Sequence, residues 1–402
     1  MNYLKHDKTV GWSWTTENFF VLSVGLYIAS VFVFSYSIEL NYISQICFIL
    51  MVFCCLLYVL DFKKGKIVVD QSIRWFFSVL VLSVVSILWA FNRTYAIGKV
   101  ITVLQLVLLG IAIYLMIDNS EKIKQVLNAI IISGYFMYIY TFQQIGLARI
   151  MSNFRDGVRI GGEINQENAF GYYSVILVTL ILYFAIYQNK KKYYFLLPLP
   201  VVMITLTGSK KGMLLLMIAI LFLVTFKHRN HLFRRAILAI LFLIIVIVLL
   251  YNFGFLEIVL GRLDKALSGN DMSTELRQLY VEFGLEKFKE NPIWGYGIEH
   301  FCLLFAGKYG SMDSPHNNYI QVMTSFGMIG LIVWYRSFFK FFAYSTRNFF
   351  EDDFSPLLMI LVIIYLVNDI TTTTLTNKFS YILVALCFSI MTLKVRERGY
   401  EV

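Results

Sequence analysis

FFVLSVGLYIASVFVFSYSI, residues 19–38, decides the fold class: twenty consecutive residues carry no charge. As a helix they extend about 30 Å, the thickness of a bilayer's hydrocarbon core. A polar head with Lys5 and Lys8 leads into the run, and no small-residue cleavage site follows. It therefore reads as a retained first membrane helix rather than a removed signal. The rest of the 402 residues agrees, at 58% hydrophobic and only 15% charged. Soluble domains carry about 25% charge, so a chain this poor in charge needs lipid around most of it. That excludes a cytosolic enzyme, a secreted domain and a nucleic-acid binder. The net charge of +10 lies mainly in short segments between apolar runs, where membrane orientation accounts for it.

Working outward, apolar runs predict about twelve transmembrane helices, near 19–37, 42–60, 74–91, 98–117, 123–145, 169–187, 193–207, 212–226, 233–252, 317–343, 355–371 and 379–393. The seventh is short and carries Pro198 and Pro200, so it is expected to be kinked or re-entrant. With both termini in the cytoplasm, 21 of the 35 Lys and Arg fall inside, including Lys190–Lys192, Lys227, Arg229, Arg234 and Arg235. This is the asymmetry the positive-inside rule expects. Two outside segments exceed simple connections. These are 146–168 and the 64-residue segment 253–316. The expected division is thus an N-terminal bundle over 1–252, the large loop 253–316 and a C-terminal bundle over 317–402. Within the loop, Leu276, Leu279, Tyr280, Phe283 and Phe288 recur at helical spacing, stopped by Asn291-Pro292. Phe255–Leu267 reads as a second short amphipathic helix. Together they predict a helical lid on the outer face.

Cys47, Cys54, Cys55, Cys302 and Cys387 form no CxxC pair and read as small core residues. Cations at the outer face run against the positive-inside rule and are the first candidates for chemistry: Arg149, Arg155, Arg159, Lys210, Lys211, Arg262 and Arg277. The large loop holds six Lys/Arg against nine Asp/Glu, so its arginines do not belong to a generally basic surface. A guanidinium fork matches phosphate geometry; a surface ion pair is the alternative. In T-G-S-K-K-G, Lys210 and Lys211 begin a helix, where anions are favoured; snorkelling is the bland reading. His316, in S-P-H-N-N-Y, stands where the loop re-enters the membrane. A helix N-terminus keeps an imidazole neutral and basic, although lone histidines are more often structural. His300 and His316 with Glu299 and Asp313 fit no common metal-ligand spacing.

The stretch H-N-N-Y-I-Q-V-M-T-S-F-G-M-I-G resembles the signature of the O-antigen ligase and O-antigen polymerase superfamily: His, Asn, nine residues, Gly, two residues, Gly. His316, Asn317, Gly327 and Gly330 fill those places. N-P-I-W-G-Y-G, residues 291–297, is similar to the family's N-P-x-x-G-x-G, and Arg277 stands where the family keeps an Arg ahead of it. G-S-K-K-G resembles the family's S-R segment with Lys210 in the Arg place. R-I-G-G-E-I-N-Q-E-N-A from Arg159 resembles its R-x-x-G…N-x-x-N-x-x-A stretch, and Trp89-Ala90 its W-S/A turn.

The resemblance implies a metal-independent, cofactor-free glycosyltransferase of the GT-C type. Its donor would be an oligosaccharide on undecaprenyl pyrophosphate in the outer leaflet of the cytoplasmic membrane. Arg277 would clamp the leaving pyrophosphate, with Arg159 and Lys210 assisting. His316 would be the base, Asn168 and Asn317 would position sugar or His, and the anomeric centre would invert. The lid would exclude water. Two acceptors fit: another lipid-linked repeat (polymerase) or a different molecule (ligase). Abundant Lys, Asn, Ile, Phe and Tyr with five Pro point to an AT-rich genome, as in many Gram-positive cells without lipopolysaccharide. That favours a capsular or exopolysaccharide polymerase, with membrane lipid and a chain-length regulator as further partners. A flippase for the same lipid is the alternative of another class. It would require similar halves and mid-membrane polar groups. Neither is evident.

Overall fold

The computed structural model describes residues 15–35, 37, 39–61, 69–146, 148–150, 152, 158–161, 166–227, 231–252, 260–261, 264 and 272–397. Arg155, Arg262 and most of the expected helix Phe255–Leu267 lie outside the described residues. All regular elements among the described residues are helical. They are α1 (Thr16–Phe34), α2 (Asn41–Asp61), α3 (Gln71–Val85), α4 (Arg93–Met116), α5 (Ser120–Ile145), α6 (Glu167–Ile186) and α7 (Pro198–Leu206). There follow α8 (Lys210–Thr225), α9 (Leu232–Asn252), α10 (Met272–Glu290), α11 (Phe301–Tyr309), α12 (Asn318–Asn348), α13 (Phe354–Asp369) and α14 (Lys378–Glu397).

Among the described residues, seven segments are long and apolar enough to cross a membrane: α1, α2, α3 with its 3-10 extension to Leu88, α4, α5, α6 and α12. Twelve crossings would require α8, α9, α13, α14 and the short seventh segment to cross as well. That seventh segment is a 3-10 turn, Lys191–Leu196, followed by the nine-residue α7, which begins at Pro198. The two prolines cannot donate to a helical ladder, so the break falls where they stand. Six residues at about 2.0 Å and nine at about 1.5 Å reach roughly 26 Å, less than a regular span.

Polar side chains next to the apolar runs set the helix starts. Asp70 accepts from the backbone N–H of Ser72 and Ile73 at α3, Asn92 from Tyr95 at α4, and Ser209 from Gly212 at α8. α6 and α13 are apolar on every side and form the centre of the bundle, as helices without a polar face must. α2 instead turns Ile46, Ile49, Phe53, Leu56 and Leu60 outward. Trp75 of α3 sits fully buried among Phe76, Trp334 and Phe388 and donates its indole N–H to Val333 O at 3.0 Å. The N-terminal and C-terminal helices thus share one core.

The expected lid helix is α10. Its Tyr280 and Phe283 are buried against Phe301 and Phe305 of α11 and Ile320 of α12. The edge-to-face rings, with centroids 5.1–5.5 Å apart, tie α10 to α11, and Ile320 joins the cluster to the first turn of α12.

Candidate active site

Backbone geometry brings the motifs together first. α12 is interrupted at Gly327, with φ 64 and ψ −152. In an unbroken helix the N–H groups of residues 328 and 329 would donate to the carbonyls of 324 and 325. Here Met328 N–H donates to Pro292 O (2.8 Å) and Ile329 N–H, more weakly, to Ile293 O (3.5 Å). The freed carbonyls of Thr324 and Ser325 accept from Tyr296 N–H and Gly297 N–H, both at 2.9 Å. Residues 292–297 are spliced into the helix so that each opened group regains a partner. Only glycine fits at the splice. A Cβ on Gly327 would meet Ile293 O at 2.3 Å, and one on Gly295 would meet Ser325 C at 2.6 Å.

The same loop is stapled to the turn before α4. Trp89 donates its indole N–H to Trp294 O at 3.1 Å. Fully buried His300 places Nδ1 2.9 Å from Ile298 O and Nε2 3.0 Å from Asn92 N. Nε2 also lies 3.2 Å from Asn92 O, so backbone groups hold both ring nitrogens. His300 is therefore structural, and Glu299 is paired with Lys99 at 2.6 Å. The two do not turn toward a shared ligand with His316.

His316 stands one residue before the N-cap of α12, in the left-handed region (φ 47), half-buried, with its ring 6.1 Å from that of Tyr280. Its pKa lies below the ordinary 6.5. Burial is the main cause, and the Arg277 cation adds to it; Asp313 opposes, and Lys211 lowers it further. The imidazole is thus neutral near pH 7, the form a base needs. The Arg277 cation on α10 and the Lys211 cation at the start of α8 both act on this histidine. Arg277 and His316 thus lie within electrostatic reach of one another. The lysine shown to reach this place is Lys211, one residue beyond the position matched to the family's Arg. Its Nζ donates to Asn368 Oδ1 (2.8 Å) and Thr372 Oγ1 (2.7 Å).

Behind these cations lies a fully buried carboxylate, Asp369 at the end of α13. It accepts from Asn318 Nδ2 (3.0 Å), Tyr335 OH (2.8 Å) and Thr374 Oγ1 (2.8 Å). Asn318 Oδ1 in turn accepts from the N–H groups of Thr374 and Leu375, at 2.8 and 2.9 Å. Sequence reasoning left this network without a role. Its signal was an Asp and an Asn at the ends of apolar runs, where a charge persists only if paired.

Arg159, Asn168 and Asn317 meet partners within the chain. Arg159 donates through Nε to Thr207 O (2.7 Å) and through Nη2 to Asn168 Oδ1 (3.0 Å), with Glu167 at 3.6 Å. It therefore lies against the turn that launches Lys210 and Lys211. Asn168 holds Arg159. Asn317 caps α12, accepting from Ile320 N–H at 3.1 Å, while its neighbour Asn318 makes the tertiary contacts. Lys210 opens α8 with its side chain half-buried.

Residues 193–335 match the family described as O-antigen ligase. The match spans the Lys210–Lys211 turn, Arg277, the spliced loop and His316; Arg159, Asn168 and Asp369 fall outside it. No curated protein matches the chain. Residues 193–335, which hold Arg277, His316 and the broken helix, are thus the part of the chain similar to the O-antigen ligase family.

Proposed function

We propose that the protein is a polysaccharide polymerase. It would join oligosaccharide repeat units carried on undecaprenyl pyrophosphate at the outer face of the cytoplasmic membrane. The observation that carries this reading is the convergence of a neutral, half-buried His316 with Arg277 and Lys211. His316 takes the proton of the acceptor sugar hydroxyl as that oxygen attacks the donor's anomeric carbon. The anomeric C–O bond to phosphate breaks on the opposite face and the configuration inverts. The electron pair leaves with the lipid pyrophosphate, whose growing charge Arg277 and Lys211 neutralise. Arg159 braces the Lys210–Lys211 turn, and Asp369 fixes α12 against α13 so that the base and the cations keep their spacing. Both termini are cytoplasmic, and the loop with α10 forms the outer wall.

Transfer to another acceptor, a ligase, is the second reading, favoured by the description of the matched family. The test is glycan length in a polymer-producing host lacking its own copy. Wild type should restore long polymer, while His316→Ala and Arg277→Ala leave single lipid-linked repeats at matched expression. Full-length polymer from both variants refutes the site.

A further inference from the structure

Resting on the polymerase reading, one consequence of the chemistry leads to a second site. Each turnover brings two lipid pyrophosphates to the enzyme. The donor's becomes the leaving group and occupies Arg277 and Lys211. The acceptor's stays intact, because its sugar reacts through a hydroxyl at the other end. A ligase handles only one.

We propose that the cleft between α1, α2, α4 and the start of α14 binds the intact phosphate head of the acceptor lipid. Its volume is about 390 Å³, and Asn41, Gln45, Thr102, Gln105, Thr376 and Lys378 line it. Among the described residues no carboxylate does, Lys378 is the only charge in the lining, and its ammonium makes one hydrogen bond, to Asn41 Oδ1 at 3.2 Å. An ammonium has three donors, so this one is short of partners at the wall of a cavity. The nearby carboxylate, Glu299, is already neutralised by Lys99 at 2.6 Å and accepts from Thr376.

Position supports the same ligand. Gln45 lies on α2 and Gln105 midway along α4, both exposed and, among the described residues, without a hydrogen-bond partner. An unpaired amide at that depth facing hydrocarbon is costly, whereas one lining a lateral entry for a polar lipid head is satisfied by it. The cleft also shares a wall with the active site. Thr376 lines the cleft, while Thr374, two residues earlier, bonds Asp369 and Asn318. An acceptor lipid held by Lys378 is thus held next to the segment that braces His316.

The shared chemistry is a phosphate on a lipid, which bulk phospholipid also carries, so the experiment separates the two sources. Full-length protein in phosphatidylcholine nanodiscs receives a donor repeat unit whose accepting hydroxyl is methylated. The acceptor is the same repeat on a short prenyl chain through a phosphonate that cannot be displaced, or the same repeat as its methyl glycoside. Wild type should show a KM for the phosphonate acceptor about tenfold or more below that for the glycoside, the scale of a charge-assisted hydrogen bond. Lys378→Gln should erase this difference without changing kcat or the donor KM, and Lys378→Arg should keep it. An unchanged acceptor KM in Lys378→Gln overturns the site. So does a lower one, or a wild-type KM that rises equally for both acceptors when phosphatidylglycerol is added, since bulk lipid then fills the cleft. If wild type joins donor to neither acceptor, the polymerase reading itself falls.

Discussion

Replacing Gly327 with alanine tests the splice on which the site is built. The new Cβ would lie 2.3 Å from Ile293 O and 2.6 Å from Pro292 O. Two responses are open to the chain. It can keep the loop in place, holding alanine at φ 64 and ψ −152, a backbone region open essentially only to glycine; that strain costs about 1–3 kcal/mol before the clash is counted. Alternatively α12 can heal, regaining the bonds from 328 to 324 and from 329 to 325 while expelling the loop. Four inter-segment hydrogen bonds are then exchanged for two helical ones, a net loss of about 2 kcal/mol at roughly 1 kcal/mol each. Lost packing at Gly295 and Gly297 adds to this. The total, about 2–5 kcal/mol, is a large part of an ordinary folding free energy of about 5–15 kcal/mol. Thermal unfolding in detergent should show a midpoint lower by about 2–6 °C, polymer should be lost, and protease should cut within 291–297. Gly307→Ala is the control, because its Cβ meets nothing within 4 Å. A Gly327→Ala protein with an unchanged midpoint and full-length polymer would refute the splice.

Three further outcomes follow from the site. Because the His316 pKa lies below 6.5, kcat/KM should hold down to about pH 6.5 and fall below it as the imidazole takes a proton. Asp313 is the group that raises this pKa, so Asp313→Asn should move the acid limb to lower pH; a limb that stays put or moves up would remove Asp313 from the field at His316. Lys211→Met should lower kcat by about a hundredfold, the scale of losing one transition-state contact, and by more than Lys210→Met. The reverse order, measured under saturating donor, would return the assisting role to Lys210. Asp369→Asn places an amide N–H against donors from Asn318, Tyr335 or Thr374, which should destabilise the fold by about 2–4 kcal/mol. Equal unfolding midpoints for the variant and wild type would show that the carboxylate is not braced as described.

The apolar helices and the charges between them were legible in the sequence because both are local. Twenty apolar residues such as 19–38 have one solvent they can live in, and a Lys or Arg left outside announces itself by its neighbours alone. The helix α10 was expected on the same local grounds, from Leu276, Leu279, Tyr280, Phe283 and Phe288. What the tertiary structure decided was which side chains face one another. Lys210 and Lys211 are adjacent in sequence, but a helical step of about 100° separates their directions, so only packing against α13 could put Lys211 on Asn368. Asn317 and Asn318 diverge for the same reason, one into the cap and the other into the Asp369 network. The glycines at 295 and 327 were visible as motif letters. Their cause, a loop threaded through a broken helix 30 residues further on, was not, since hydrogen bonds between distant backbone groups leave no trace in side-chain pattern.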